Sequence, residues 1–455
     1  VFKRSQLWSK KTQKLFAQTL AGETNPQNLP PEKFKLLIIN QFFPPDFAAT
    51  GQLIQELSNQ LDQQNVQVSV FTGQPGYAYN QKQAPTVEIK HNVKIQRSKN
   101  KQFYSKRIRS KTLTGVIFTI LATVHLFKNA SKYNAVILTT APPFLAIAGY
   151  LAQVIFKLDY ICLIYDLYPD VVVELGVLSH HHLLIKLWQK INGAIWNRSK
   201  QIVVLSQTMK ERVVKQYPAI ADKISIIHNW ADPTWIKPLA KADNWFAHQH
   251  QTQTKFTVLY SGNLGHCHDL ETILNAAKLL QAEPIQFMFI GSGVKYQQCQ
   301  NIVAQSQLHN CIFLPYQERA SLPYSLTAGD LALVSIAPGL EGVVAPSKVY
   351  GIMAAGKAIA AICEPHSYLR QIIAEANCGA AFNNHHSEQL AEFILTLAGN
   401  PELTKQMGDA GRDYLQQHYT PELIAQQYCE VLGVEVNPLN GHPHQEHILY
   451  GMVKS

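Results

Sequence analysis

Val343–Lys357 reads VVAPSKVYGIMAAGK. Pro346 and Ser347 are residue types that open helices, serine being a good N-cap. A helix start presents unpaired N–H groups and the positive end of the helix dipole, which together hold phosphate. Lys348 adds a full cation at the same place, and the run Met353–Gly356 lets that helix approach a neighbour closely. The chemistry implied is a clamp on a diphosphate. Taken alone, the stretch reads better as a capped surface helix with a solvated lysine, since lysines at helix ends are common. Two further junctions change the balance. YSGNLGHCHDLETIL places Gly262 and Gly265, with Asn263 and His266 beside them, between a predicted strand and a predicted helix. FIGSG repeats the arrangement with Gly291 and Gly293. Glycines at strand–helix junctions let the backbone turn tightly or approach a ligand. Neither junction is a Walker A or a full GxGxxG, which disfavours ATP hydrolysis and NAD binding. Tyr316 and Tyr324 are placed to flank a base, or to pack.

A second constellation lies in YDLYPDVVVELGVL, where a predicted strand runs into a loop. Asp166 or Asp170 there could orient an acceptor hydroxyl or receive its proton, with Glu174 a weaker candidate. A loop aspartate that caps the next helix is the plainer alternative. His180, His181 and His182 open a predicted helix without carboxylate or cysteine partners nearby in sequence, so a solvated turn is expected rather than a metal site. No function attaches to His442, His444 and His447.

The elements that would position these residues follow a βαβ rhythm. FKLLIIN, VQVSVFTG, AVILTT, YICLIYD and QIVVLSQ read as buried parallel strands separated by helical segments, ending at KISIIHNWADP. A polar stretch, LAKADNWFAHQHQTQT, reads as a linker. The rhythm then restarts with FTVLYSGN and continues through IQFMFIGSG, NCIFLPY, DLALVSI and KAIAAICEP. The expected fold class is α/β, two doubly wound Rossmann-like domains facing a cleft, with ligands beyond the carboxyl ends of the strands. The expected divisions are a basic extension over 1–33, a first domain over 34–230, a second over 231–412, C-terminal helices over 413–433 that cross back to the first domain, and a tail over 434–455. Gly51, after the first strand, would let the following helix approach a diphosphate or an acceptor.

With 455 residues, 46% hydrophobic and 16% charged, the chain is globular and long enough for two cores. Its formal charge of +9 points to an anionic partner. No nucleic-acid motif accompanies that charge, so nucleic acid is not expected. Seven scattered cysteines without a CxxC pair speak against a disulfide framework or a zinc site and fit a reducing cytosol. The N-terminal stretch is basic without an uninterrupted apolar core, so no signal peptide is expected. Residues 132–157 hold an uncharged run long enough to span a bilayer, but Pro142 and Pro143 interrupt it. The preferred reading there is strand, turn and buried helix. Lys106, Arg107, Arg109 and Lys111 precede an apolar helix, and residues 106–127 read as an interfacial segment drawn to anionic lipid.

These motifs, in order over residues 34–430, resemble the family-4 glycosyltransferases of GT-B fold, in the bacterial exopolysaccharide branch with colanic-acid-type enzymes. The carrying segments are FFPPDFAATGQLIQEL, YDLYPDVVVELGVL, VVLSQTMKERVV, VLYSGNLGHCHDLETILNAAKLL, FMFIGSG and APSKVYGIMAAGKAIAA. Nothing in the first 33 or last 20 residues shares it. The resemblance implies transfer of a sugar from a nucleoside-diphosphate sugar bound by the second domain to an acceptor bound by the first, with retention and without a metal or other cofactor. The chain accordingly has no DxD motif. A glycan or polyprenyl-linked acceptor would place the enzyme at the cytoplasmic face of the membrane, attached peripherally. The donor-side residues implied are Gly51, Gly262, Asn263, Gly265, His266, Gly291, Gly293, Tyr316, Glu341, Ser347 and Lys348. Asp166 lies where the family usually carries an active-site histidine. Two departures matter. Asn263 and His268 stand where many members have an Arg and a Lys, and Val343 and Gly351 stand where many have glutamates, with Glu341 nearby. Lys348 thereby becomes the main cation. A GT-B-type sugar-nucleotide epimerase and a non-catalytic nucleotide- or glycan-binding scaffold remain open alternatives.

Overall fold

The structure, a computed structural model, describes residues 33–46, 48–76, 84–98 and 108–435, with side chains from 112 onward in the last span. The basic extension, the tail histidines and the side chains of Lys106, Arg107, Arg109 and Lys111 lie outside the described residues.

The first sheet contains β1 (Phe34–Ile39), β2 (Val66–Thr72), β3 (Val87–Lys90), β4 (Val93–Arg97), β5 (Ala135–Thr139), β6 (Asp159–Ile164), β7 (Gln201–Val204) and β8 (Ile224–Ile226). Their order is β3-β4-β2-β1-β5-β6-β7-β8. Every pairing is parallel except β3 with β4. The second sheet holds β9 (Phe256–Asn263), β10 (Ile285–Ser292), β11 (Cys311–Leu314), β12 (Leu331–Ser335), β13 (Ala358–Ile362) and β14 (Gly379–Phe382), ordered β11-β10-β9-β12-β13-β14. All of its pairings are parallel. This is the doubly wound pair expected. The central strands are apolar along their whole length because helices cover both faces, as in β5, β12 and β13, where every residue is buried. Strand order reverses between β1 and β5 and between β9 and β12. Those are the switch points where the chain opens a crevice for a ligand.

Three segments differ from the sequence reading. The β3–β4 hairpin was not expected: β3 is a short, exposed edge strand, and its turn uses His91 and Asn92 at φ 47° and 64°. The stretch read as a polar linker is folded onto the second unit, where helix Trp245–Gln249 buries Phe246 and Ala247 and Asn244 donates to the Tyr324 carbonyl at 2.8 Å. The helix read as buried, Ala146–Phe156, is covered on one side only, leaving Leu151, Val154, Ile155 and Phe156 exposed.

Residues 132–157 form strand, turn and helix rather than one span. The preceding helix reaches the length and hydropathy of a membrane span over Thr112–Lys132. It lies against the first sheet, with Phe118, Ala122 and Leu126 buried.

The units are joined twice. The crossover after β8 is met by the C-terminal region, where the Ala231 N–H donates to the Tyr419 carbonyl at 3.3 Å. Helix Pro421–Leu432 then returns to pack on helix Ala49–Gln63 of the first unit, with Gln60 Nε2 donating to Glu422 Oε1 at 3.0 Å.

Candidate functional site

The carboxyl ends of β9 and β10 are built without side chains for a steric reason. Gly262 and Gly291 are paired in register, with φ of 129° and 141°. A Cβ on Gly291 would lie 1.9 Å from the Gly262 carbonyl oxygen. On Gly293 (φ 154°) it would lie 2.4 Å from the Leu264 oxygen. On Gly262 it would lie 2.7 Å from Lys348 Cε. The lysine thus occupies the space that the glycine leaves, and the two motifs read separately in the sequence form one site.

Lys348 Nζ sits 3.8 Å from the centre of the Tyr260 ring. It donates to the Tyr260 hydroxyl and, at 3.3 Å, to the Asn263 carbonyl. The third N–H has no partner, and no carboxylate pairs with Lys348, among the described residues. Burial holds its pKa well below the ordinary lysine range. A desolvated amine with no counter-charge gains from an arriving anion. His268 lies beside it, its ring 6.1 Å from that of Tyr260. Its Nδ1 contacts the Ser335 carbonyl at 2.8 Å, so the Nδ1–H tautomer donates there. Burial, reinforced by Lys348, pushes its pKa down to about 3, so the imidazole is neutral. The lysine is the cation here, and the histidine supplies shape and a dipole.

Lys348, Gly262, Ser347 and Tyr316 line a pocket of about 260 Å³ that Gln52, Leu53 and Glu56 of the first unit close from across the cleft. Arg319 reaches over its rim to Glu56 at 2.5 Å and stacks on Trp235 at 5.0 Å. Ser347 stands at the N-cap position of helix Lys348–Ala354 but makes no capping bond, contrary to the expected serine cap. The small-residue end of that helix does make a close approach: a Cβ on Gly408 would lie 2.2 Å from the Gly356 oxygen.

Other expected residues fall elsewhere. Gly51 packs helix Ala49–Gln63 against the loop after β1, its absent Cβ facing Phe42 C and O at 3.0 Å, and it does not line the pocket. Gly265 faces the Asn263 amide, and His266 is exposed. Tyr324 packs against Trp245 at 5.5 Å rather than lining the pocket. His182 caps its helix, its Nδ1 accepting from the Leu184 N–H at 3.2 Å. Among the described residues no three His, Cys, Asp or Glu side chains gather in a metal-holding group.

Asp166 lies two residues beyond the end of β6. Its N–H donates to Thr140 Oγ1 at 3.3 Å, and its backbone forms an antiparallel bridge with Val344 of the second unit. Burial raises its pKa from 3.8 to about 6. Burial raises the Cys267 thiol to about 11, and the Asp166 carboxylate adds to that shift.

Asp170 and Glu341, expected to act with Asp166 and Lys348, are instead in a side pocket of about 580 Å³. Arg212 pairs with Asp170 at 3.0 Å and with Glu174, and donates to the Gly339 and Glu341 carbonyls at 3.4 and 3.3 Å. Glu341 accepts from Thr208 Oγ1 at 2.8 Å. Arg212 and Thr208 escaped the sequence reading, since TMKER signals only a polar helix face.

Residues 50–235 match the family described as Glycosyltransferase Family 4, and residues 241–414 match Glycosyl transferases group 1. The probable glycosyltransferase WbjE of Pseudomonas aeruginosa is 27% identical over 71% of this chain and 80% of its own length. The putative colanic acid biosynthesis glycosyl transferase WcaI of Escherichia coli is 30% identical over 38% of this chain and 42% of its own. A sucrose-phosphate synthase from Thermosynechococcus elongatus shares the fold at TM-score 0.71 and 16% identity, over 88% of this chain and 98% of that one. Anabaena HepE, solved in complex with UDP and glucose, does so at TM-score 0.65 and 14% identity, over 88% and 99%.

Proposed function

Since the chain belongs to the family-4 glycosyltransferases and has their GT-B fold, we propose that it moves a hexosyl group from a nucleoside-diphosphate sugar to a lipid-linked glycan during polysaccharide assembly, with retention and without a metal. One observation carries the donor half of this reading: the half-buried, carboxylate-free Lys348 at the glycine-walled ends of β9 and β10. HepE, of like fold, holds UDP and glucose in its solved complex, which supports a nucleotide sugar as the ligand here. In the reaction the bond from the sugar's anomeric carbon to the diphosphate breaks and a bond from that carbon to the acceptor oxygen forms. Lys348 neutralises the departing diphosphate, a preorganised electrostatic role. Asp166 orients the acceptor hydroxyl and is poised near pH 6 to take its proton.

The test is calorimetry against UDP-, GDP- and ADP-sugars, with Lys348→Ala beside the wild type. One donor is expected to bind, and the variant to bind it about 100-fold more weakly or less. Because the free amine's pKa is depressed, binding an anion restores its proton. Donor binding should therefore take up a proton at alkaline pH in the wild type and none in the variant. No nucleotide binding at all would leave the scaffold alternative ahead.

A membrane surface completes the proposal and extends beyond residues 106–127. Helices Ile108–Asn129, Ala146–Phe156 and Leu183–Arg198 pack in series on the first unit. They leave Leu113, Ile120, Ile155, Leu183, Leu184 and Leu187 more than half exposed. Lys157, Lys186 and Lys190 stand exposed among them. Apolar side chains with lysines interspersed suit the interface of an anionic bilayer and would hold the enzyme on the cytoplasmic face where a polyprenyl-linked acceptor lies. Co-sedimentation with vesicles containing phosphatidylglycerol, but much less with phosphatidylcholine alone, is the expected result.

A further inference from the structure

The side pocket beyond Asp166 is lined by none of the residues that line the Lys348 pocket, and it has the makings of a ligand site of a definable kind. Its floor is Glu341, 4% exposed, and its walls are Asp170, Arg212 and Gln189, with His180 and His366 at the rim. Glu341 Oε1 accepts from Thr208, but Oε2 is buried and has no hydrogen-bond partner. No cation pairs with this carboxylate among the described residues, because the nearby Arg212 is committed to Asp170, Glu174 and two carbonyl oxygens. A buried carboxylate oxygen without a donor is costly, and a ligand that brings a donor recovers that cost.

Charge narrows the ligand class. Asp170, Glu174, Glu211 and Glu341 would repel an anion, while Arg212 and Lys215 would oppose a small cation. A neutral molecule rich in hydroxyls suits both sets, donating to carboxylates and accepting from Lys215 and Gln189. The pocket's volume of about 580 Å³ is in the usual range for a small-molecule site. Position narrows it further. Asp166 and Glu341 each form a backbone bridge to the same residue, Val344. The backbones of Glu341 and Asp166 are therefore each about one strand spacing, roughly 5 Å, from that residue.

We propose that this side pocket binds a sugar ring of the acceptor glycan, with Glu341 taking hydrogen bonds from its hydroxyls and so holding the acceptor beside Asp166. This rests on the glycosyltransferase reading, and the experiment separates the two. Saturation-transfer NMR would be run on the full chain with methyl glycosides of glucose, galactose, mannose, fucose and N-acetylglucosamine, in the presence of UDP. Calorimetry of UDP alone would run alongside, with Glu341→Gln and, as a wall change that leaves the buried floor intact, Gln189→Ala. The expected result is that at least one glycoside binds together with UDP. Glu341→Gln should weaken it about tenfold, the loss of one charged hydrogen bond, Gln189→Ala should weaken it less, and UDP affinity should be unchanged in both. Glycoside binding that is indifferent to both variants overturns the proposal and leaves Glu341 as a fold residue. So does competition between glycoside and nucleotide sugar, with Glu341→Gln weakening the latter but not UDP, because Glu341 would then contact the donor's hexose. If UDP itself does not bind, the donor reading fails whatever the glycosides do.

Discussion

At the ends of β9 and β10 backbone meets backbone so closely that only glycine fits, whereas at the end of β6 the chain presents carboxylates, an arginine and an open pocket. The first arrangement is rigid and aimed at one small charged object. Lys348 lies in the volume that Gly262 vacates and is fixed by Tyr260 and Asn263. The second is roomier and polar, and beside it the Leu167 N–H bonds the Val343 carbonyl at 2.9 Å across the cleft. A site that must recognise one diphosphate can be closed and preorganised. A site that must admit a large acceptor cannot. The same contrast holds outside the cleft, where the most exposed apolar helices belong to the first unit.

Breaking the glycine wall is the harshest test of this contrast. Gly291→Ala puts a Cβ 1.9 Å from a backbone oxygen, at a φ of 141° that side chains rarely adopt. About 4 kcal/mol or more of stability should be lost, seen as a lower urea midpoint with an unchanged slope. Gly51→Ala, facing backbone at 3.0 Å and not in positive φ, should cost about 1–2 kcal/mol. Equal losses at the two positions would mean that the second unit is no tighter than the first.

A smaller effect with a more telling sign is expected at Asp166. Its folded pKa, about 6, lies above the ordinary 3.8 because burial disfavours the charged form. Below pH 3.8 both folded and unfolded chains keep the proton and nothing is lost. Between 3.8 and 6 the unfolded chain ionises first, so stability falls as pH rises, and above 6 the full cost is present. Asp166→Asn should therefore stabilise the protein at pH 7 by about 1–2 kcal/mol while lowering kcat about 100-fold. It should also remove the limb of the pH–rate profile that rises near 6. A variant that loses stability, or keeps that limb, would remove Asp166 from the chemistry.

Much of this architecture is legible in the residues. LLII, AVIL and ICLI read as buried parallel strands because both faces of each are covered, and Gly262, Gly291 and Gly293 mark junctions because side chains rarely adopt their φ. Strand β14, GAAF, is too short and too weakly apolar to signal itself. The partnership of Lys348 with Gly262 spans 86 positions and that of Arg212 with Gly339 spans 127, so spacing could not bring them together. The resemblance groups Glu341 with the donor residues because it stands near Val343, where many members carry a glutamate, but the chain turns between it and Lys348 and delivers the two side chains to different pockets. Nor does helical periodicity say which face of a helix meets the core. Leu183, Leu184, Leu187 and Ile191 look like an inward stripe in LLIKLWQKI, yet Ile185 is the residue that goes in.

That stripe supplies the mildest and cleanest prediction. Leu184 and Leu187 are 58% and 53% exposed, so neither contributes much to the core, and Leu184→Asp with Leu187→Asp should leave the melting temperature nearly unchanged. If the face meets a bilayer, the pair should reduce partitioning onto vesicles with phosphatidylglycerol about tenfold, since each leucine that inserts contributes roughly 1–2 kcal/mol at most. The second unit provides the control. Leu279 and Leu395 are 53% and 41% exposed on helices of that unit, and the same change to aspartate there should leave partitioning within twofold. A difference between the two pairs assigns the membrane contact to the first unit. Under the proposed function, that is the side from which a lipid-borne acceptor would reach Asp166, with the soluble donor entering against Lys348. Equal losses from both pairs would reduce the attraction to net charge, because each pair adds the same negative charge.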